Sequence, residues 1–223
     1  MHELPRFEPR VDSRPNDVTW APAQWPVPTT TVLAGECVQL SVSTPDDAAE
    51  LFESLDFAEV WEHVAGRPHS ATEMSTLIES KLDNPTWTPW TVRLTKSYRG
   101  LPAGAIVGTT SFLETGPNEA RTEIGSTTYT PAVWASSVNA ECKLLLLTYA
   151  FEVLGMGRVQ LKTDIRNVRS QQAIARLGAT FEGVLRRYQR REDDTIRDTV
   201  LFSITSEEWP NVKARLEARL AAE

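Results

Sequence analysis

ARTEIGSTTYTPAVWASSVNAECKLLLLTYAFEVLGMGRVQLKTD, residues 120–164, changes its apolar period twice, and that change decides the fold. Its first ten residues alternate, which predicts a strand over 120–129. SVNAECKLLLLTYAFEVLG (137–155) starts polar and is then apolar on nearly every side, the pattern of a helix buried on more than one face and ended by Gly155. RVQLKTD (158–164) returns to strand character. Two strands joined through a helix are expected to run parallel. A crevice should open between their carboxyl ends, faced by the free N–H groups and positive dipole end of the helix near residue 138.

Upstream, WTVRLTKS (90–97) and AIVGTTSFLE (105–114) alternate in the same way and join 120–129 through the turn-rich RGLPAG and TGPNEA. A three-stranded antiparallel meander follows. CVQLSVS (37–43) reads as a first strand. Thr44-Pro45-Asp46-Asp47 then supplies a cap, a proline at N1 and first-turn acids for helices that continue with breaks to about Leu82, and Asn84-Pro85 closes that region. Downstream, Asn167 and Gly178 bracket a short amphipathic helix over 168–177 as N-cap and C′ residue. Two strands flank REDDT, and Ser206-Glu207-Glu208-Trp209-Pro210 opens a last helix to about Leu220. No internal repeat is present.

These elements predict an α/β (α+β) layer: a mixed, mostly antiparallel central sheet with a splayed parallel strand pair and flanking helices. Residues 1–31 hold six prolines, Pro5, Pro9, Pro15, Pro22, Pro26 and Pro28, and read as an arm preceding one domain over 32–223. Trp20 and Trp25 are too apolar for a free linker, so the arm should lie against the body or a neighbouring subunit.

A formal net charge of −7 argues against a dedicated nucleic-acid binder and fits amine-bearing or cationic partners better. The longest apolar run, Leu144–Leu147, is far too short to span a bilayer, and MHELPRFEPRVDSRP lacks the apolar segment of a signal peptide. No membrane association is expected, and the cytoplasm is the default compartment. Cys37 and Cys142 read as small buried hydrophobes. His2, His63 and His69 have no ligand-like spacing, so no metal site is expected.

EIG at 123–125, WASSVN at 134–139, TDIRNVRSQQAIARLGA at 163–179, IRDTV at 196–200 and EEWP at 207–210 together resemble the GNAT superfamily of N-acetyltransferases. The closest pattern is its Rim-type branch, which includes ribosomal-protein N-terminal acetyltransferases. The resemblance runs from about Trp90 to Pro210. In that family the loop before the buried helix follows Q/R-x-x-G-x-G/A and wraps the pyrophosphate of acetyl-CoA. Here Trp134 replaces the basic or amide residue, Ser137 the first Gly, and Asn139 the second Gly or Ala. A left-handed Ser137 would cost about 1–2 kcal/mol.

The resemblance implies acetyl-CoA as cosubstrate and an amine acceptor, either a protein N-terminus or a small molecule. Ser136, Ser137, Val138 and Asn139 would bind the pyrophosphate unless they only cap the helix. Asn167 would reach the pantetheine arm. Ser170 would lie near the sulfur, as general acid or bystander, with Tyr188 the alternative acid or a substrate contact. An amine of pKa near 10 is only about a thousandth neutral at pH 7, so a base helps, and Glu123 is placed for it, directly or through water. Gly125 would mark a bulge. Asp198 is either a cross-strand partner of an arginine or an amine anchor. A Cys142-based covalent route is disfavoured because no histidine lies nearby in sequence. Two alternatives stay open: another donor such as succinyl-CoA, which would want an added cation near the thioester, and an idle acyl-CoA-binding module. Aromatic residues in the arm and in PTWTPW (85–90) suggest a homo-oligomer.

Overall fold

The alternating segments pair as neighbours in one eight-stranded sheet. In chain order the strands are β1 (Val32–Ala34), β2 (Val38–Val42), β3 (Thr88–Leu94), β4 (Ile106–Gly116), β5 (Arg121–Tyr129), β6 (Arg158–Asp164), β7 (Thr180–Arg190) and β8 (Ile196–Thr205). The helices are α1 (Ala48–Leu55), α2 (Ala58–Trp61), α3 (Ala71–Leu82), α4 (Ser137–Thr148), α5 (Val168–Leu177) and α6 (Trp209–Ala221). The computed structural model describes residues 8–12 and 19–222.

Strand order is β1-β2-β3-β4-β5-β6-β8-β7, and every neighbouring pair is antiparallel except β5 and β6. Consecutive residues of β4 explain why the central strands are apolar on both faces. Val107 joins the main core with α4 and α6, whereas Ile106 joins the cluster under α1, α2 and α3. Helices therefore cover both sides of the sheet, which is why β4 reads as a nearly continuous buried run.

The meander and the helix–strand passage run as their periodicity predicts, with three differences. β1, only three residues long, precedes the strand read as first, and Cys37 lies just before β2, half-buried rather than buried. The helix over 137–155 is α4 followed by a wider π-helical turn, Tyr149–Val153, closed by Leu154 N–H donating to Tyr149 O. Trp90 is not an exposed aromatic: it is wholly buried, with Phe112 and Tyr149 packed edge-on at 5.9 and 6.2 Å. Trp87 is half-buried.

Residues 20–25 of the arm lie on the body. Ala23 N–H donates to Pro117 O and Gln24 N–H to Leu154 O, while the indoles of Trp20 and Trp25 donate to Gly155 O and Pro85 O. Pro5, Pro15 and His2 fall outside the described residues.

What fixes α4 against the sheet is a buried carboxylate. Glu141 accepts the backbone N–H groups of Glu36 (2.6 Å), Cys37 (2.9 Å) and Val38 (2.9 Å), the turn leading into β2. Gly35 is needed there, since an added Cβ would meet the Glu141 carboxyl carbon at 2.7 Å. Losing the carboxylate leaves three N–H groups short of an acceptor. Glu141→Ala should therefore cost roughly 2–4 kcal/mol in denaturant unfolding. A loss below about 1 kcal/mol would mean that the turn is held by other contacts.

Candidate active site

β5 and β6 stay paired only through Arg121↔Arg158, Thr122↔Val159 and Glu123↔Gln160. Beyond that point they diverge. Two bulges flank Glu123. On β5, Gly125 and Thr128 oppose Ser111 and Thr109, so one extra residue is inserted, with Ser126 at φ 47°. On β4 the register slips between Leu113 and Gly116, with Glu114 at φ 49°. The bulge expected at Gly125 thus begins one residue later, on a serine. Such bends re-aim side chains beside functional clefts. The gap is a cleft of about 750 Å³, floored by α4 and walled by α5 and β7.

At one end of the cleft lies the start of α4. Ala135 takes the left-handed conformation, φ 52°, while Ser137 is the first helical residue, so the strain foreseen for Ser137 falls two residues earlier. Ser136 is the N-cap. Its hydroxyl accepts from Val138 N–H at 3.3 Å and donates to Val133 O at 2.6 Å, so the capping role is real and uses that group. Ser136 and Asn139 line the cleft; Ser137 and the buried Val138 do not. Ser137 and Asn139, in the first helical turn, keep N–H groups with no partner among the described residues. Trp134 anchors the loop by donating to Tyr129 O, and the guanidinium of Arg169 stacks on its ring at 4.1 Å. Arg169, from α5, thereby brings a positive charge to the loop position where Trp134 has none.

Asn167 caps α5 by accepting Ser170 N–H at 2.9 Å, and both residues line the cleft. Gly178 at φ 94° closes that helix in the left-handed conformation expected of it. The Ser170 hydroxyl has no hydrogen-bond partner among the described residues.

The far end is a charge cluster. Glu123, 5% exposed, accepts from Lys162 Nζ at 2.8 Å. Lys162 also donates to Glu114 at 2.7 Å and to the Tyr188 hydroxyl at 3.1 Å. Burial pushes the Glu123 carboxyl up, while Lys162 pulls it down; the upward effect wins. For Lys162 the balance is reversed: its own desolvation is outweighed by Glu123 and Glu114, which hold it well above the usual lysine range. Tyr188 reaches the cluster because β7 is bulged between Leu185 and Gln189, with Arg187 at φ 51°. Beneath the β5 bulge, the buried Lys143 donates to Thr127 at 3.2 Å, and burial lowers its pKa to about 8. On the other side Lys81 donates to Ser126 at 3.0 Å. Cys142 is wholly buried and its thiol is pushed up to about 12, the state of an inert core residue.

Sequence reasoning places Glu123, Asn167, Ser170 and Tyr188 on the cleft, and misses Lys162, Glu114, Lys143 and Arg169. Lys143 has a signal: it stands four residues after Asn139, on the same helix face. Lys162 has one too, once parallel register is assumed. Asp198 is a cross-strand partner of an arginine, through the backbone of Arg187 rather than its guanidinium. Its carboxylate accepts Arg187 N–H at 2.7 Å and so secures the β7 bulge.

With this geometry in place, residues 38–180 match the acetyltransferase (GNAT) domain family, and the chain belongs to it. A T. thermophilus protein designated an acetyltransferase is 37% identical over 88% of this chain and 100% of its own, with a TM-score of 0.76. A Chromobacterium violaceum protein designated a GNAT-family acetyltransferase is 26% identical over 92% and 100%, with a TM-score of 0.81. Mycobacterium smegmatis RimJ, solved with CoA-disulfide, shares the fold at 22% identity, 84% and 91% coverage and a TM-score of 0.69. No functionally curated protein matches the chain.

Beside the cleft, Arg191 grips Asp164 at 2.6 and 2.8 Å, tying the β7–β8 tip to the end of β6 and lowering that carboxyl to about 2. The folded-state value lies below the unfolded one, so the pair stabilises above about pH 4 and its contribution is lost as pH falls through about 2. The difference in unfolding free energy between wild type and Asp164→Asn should therefore shrink across that window. A pH-independent difference would show that the pair does not titrate as assigned.

Proposed function

We propose that the protein is an acetyl-CoA-dependent N-acetyltransferase that moves the acetyl group directly to a primary amine, without a covalent enzyme intermediate. The observation that carries this reading is the cleft itself: unpartnered helix N–H groups at one end and a buried carboxylate at the other. Membership of the GNAT family supplies the acyl-CoA chemistry.

The diphosphate would rest on the N–H groups of Ser137 and Asn139, with Arg169 and the Asn139 side chain completing the cradle. These residues fit an anion even without the family's glycines, because the loop turns at Ala135 before the helix begins. The Asn167 carbonyl is used in capping, which leaves its amide nitrogen to meet the pantetheine amides. The bulged backbone at Ser126 would polarise the thioester carbonyl.

At the far end, Glu114 and Glu123 share the single ammonium of Lys162, so the cluster is left with one net negative charge. That charge favours an incoming alkylammonium. Glu123, raised by burial, takes the proton through a water, because Lys162 already occupies its near side. The amine nitrogen then forms the C–N bond, the C–S bond breaks, and the thiolate is protonated. Tyr188 is the better donor: Lys162 hydrogen-bonds to its oxygen, leaving the phenolic proton free, and a phenol is a stronger acid than an alkyl hydroxyl. Ser170 then serves the sulfur as a neighbour.

We place the chain near the Rim-type branch, whose acceptors include protein N-termini. The fold shared with RimJ is compatible with that, and small amines remain in the acceptor class. One observation favours a second donor. The Lys143 ammonium has no carboxylate partner among the described residues and lies against the β5 bulge, where a succinyl-type tail would meet it.

A coupled assay for free thiol with an amine library tests the main reading. Glu123→Gln and Tyr188→Phe should each lower kcat by roughly tenfold to ten-thousandfold with acetyl-CoA binding retained, and Ser170→Ala by less than about tenfold. Unchanged kcat in Glu123→Gln would remove the base assignment, and tight acetyl-CoA binding without turnover of any amine would favour an idle module. With a panel of acyl-CoAs, acetyl-CoA should win. A preference for succinyl-CoA that disappears in Lys143→Met would establish the second donor instead.

A further inference from the structure

A second, smaller cavity of about 440 Å³ adjoins the cleft at His63, Val64, Ala65, Asp164, Gln189 and Arg197. No residue of α4 or α5 lines it, so it lies away from the end assigned to the diphosphate. Its roof is closed by a strap: Glu192, at the β7–β8 tip, accepts the N–H groups of Gly66 and Arg67. An acceptor reaching Glu123 from the side opposite the donor would pass through this space.

The charge inside it is contrary to the protein's overall balance. Five arginines line the cavity of a chain with a net charge of −7. Four of them are matched: Arg67 by Asp56, Arg166 by Asp193, Arg190 by Asp194 and Arg191 by Asp164. Arg197 makes no ion pair among the described residues. Its Nε donates to Thr199 Oγ1 at 2.8 Å, and the other guanidinium N–H groups have no partner there. The two carboxylates whose fields reach it, Asp164 and Glu123, are held by Arg191 and Lys162. Arg67 adds a buried Nε–H with no partner. A half-buried guanidinium is costly to leave unmatched, and its planar fork suits a carboxylate.

We propose that the acceptor is an amine carrying a carboxylate a few bonds from its nitrogen, and that Arg197, at the junction of the two cavities, binds that carboxylate. This rests on the acyltransferase reading and narrows its acceptor class. The ammonium end would be drawn by Glu114 and Glu123 and the carboxylate end by Arg197, so the zwitterion is oriented by its own two charges. The same chemistry is offered by a free α-amino acid and by a peptide amino terminus with an acidic residue beside it.

The test compares matched acceptors at saturating acetyl-CoA: the common α-amino acids against their α-carboxamides, and Ser-Asp-led peptides against Ser-Asn-led ones, with thiol release as readout. At least one carboxylate acceptor should exceed its amide by about tenfold or more in kcat/KM, mainly through KM. Arg197→Gln should reduce that ratio below about threefold, and Arg197→Lys should keep part of it. Preference in the first set alone identifies a free amino acid, and in the second alone a peptide. Equal use of carboxylates and amides by the wild type, or a preference that survives in Arg197→Gln, overturns the proposal; so does turnover confined to amines without a carboxylate. The wild-type ratio decides the matter even if the variants do not fold. Calorimetry with acetyl-CoA separates the two levels, since absent donor binding removes both readings, whereas normal binding with no preference removes only this one.

Discussion

Everything at the site depends on how briefly β5 and β6 remain together. Three register pairs hold them, and then a single inserted residue at Ser126 turns β5 away while β6 continues straight, paired only with β8 on its other side. Without the insertion the ladder would extend past Glu123 and the gap would be filled by backbone hydrogen bonds. With it, both strands expose ordered but unpaired edges to the same space, and the amino end of α4 is aimed into it. The carboxylate of Glu141 maintains that aim from further along the helix, by fixing α4 to the turn before β2.

Charge is distributed along the cleft as deliberately as shape. The end at the start of α4 is positive through unpartnered N–H groups and Arg169. The middle holds the buried Lys143 under the bulge. Beyond it come two carboxylates bridged by Lys162, and then Arg197. Burial constrains most of these groups, so small displacements of the elements that carry them would alter their protonation as well as their position. Three non-glycine residues in left-handed conformation, Glu114, Ser126 and Arg187, sit where strands bend around this row. Backbone strain is concentrated at the site, as a preorganised cleft requires.

Much of the fold was legible in period and punctuation. β6 and α5 fall where RVQLKTD and the Asn167-to-Gly178 frame put them, because a buried strand and a capped amphipathic helix are local patterns. The placement of β8 rather than β7 beside β6 was not legible, since it is decided by packing of the finished hairpin. The site was half legible for a similar reason. Glu123 and Asn167 carry family motifs, whereas Lys162 matters only because it follows two residues after Gln160, the register partner of Glu123, and Arg197 only because of which acids are already taken. Of the bulges only the one on β5 left a trace in sequence, at Gly125 and one residue early: Ser126, Glu114 and Arg187 are not the residue types that announce a positive φ.

The arm gives the fork its mechanical character. Ala23 is bonded to the β4–β5 turn at Pro117 and Gln24 to the end of the π-helical turn at Leu154, while the ring of Trp20 lies over Gly157, where an added Cβ would approach it to 3.2 Å. Gly157 N–H in turn donates to Ala120 O, at the root of the fork. The arm is thus a clasp across the closed end of two tines. The last register pair before the strands part, Glu123 with Gln160, therefore stands between this clasped end and the open mouth.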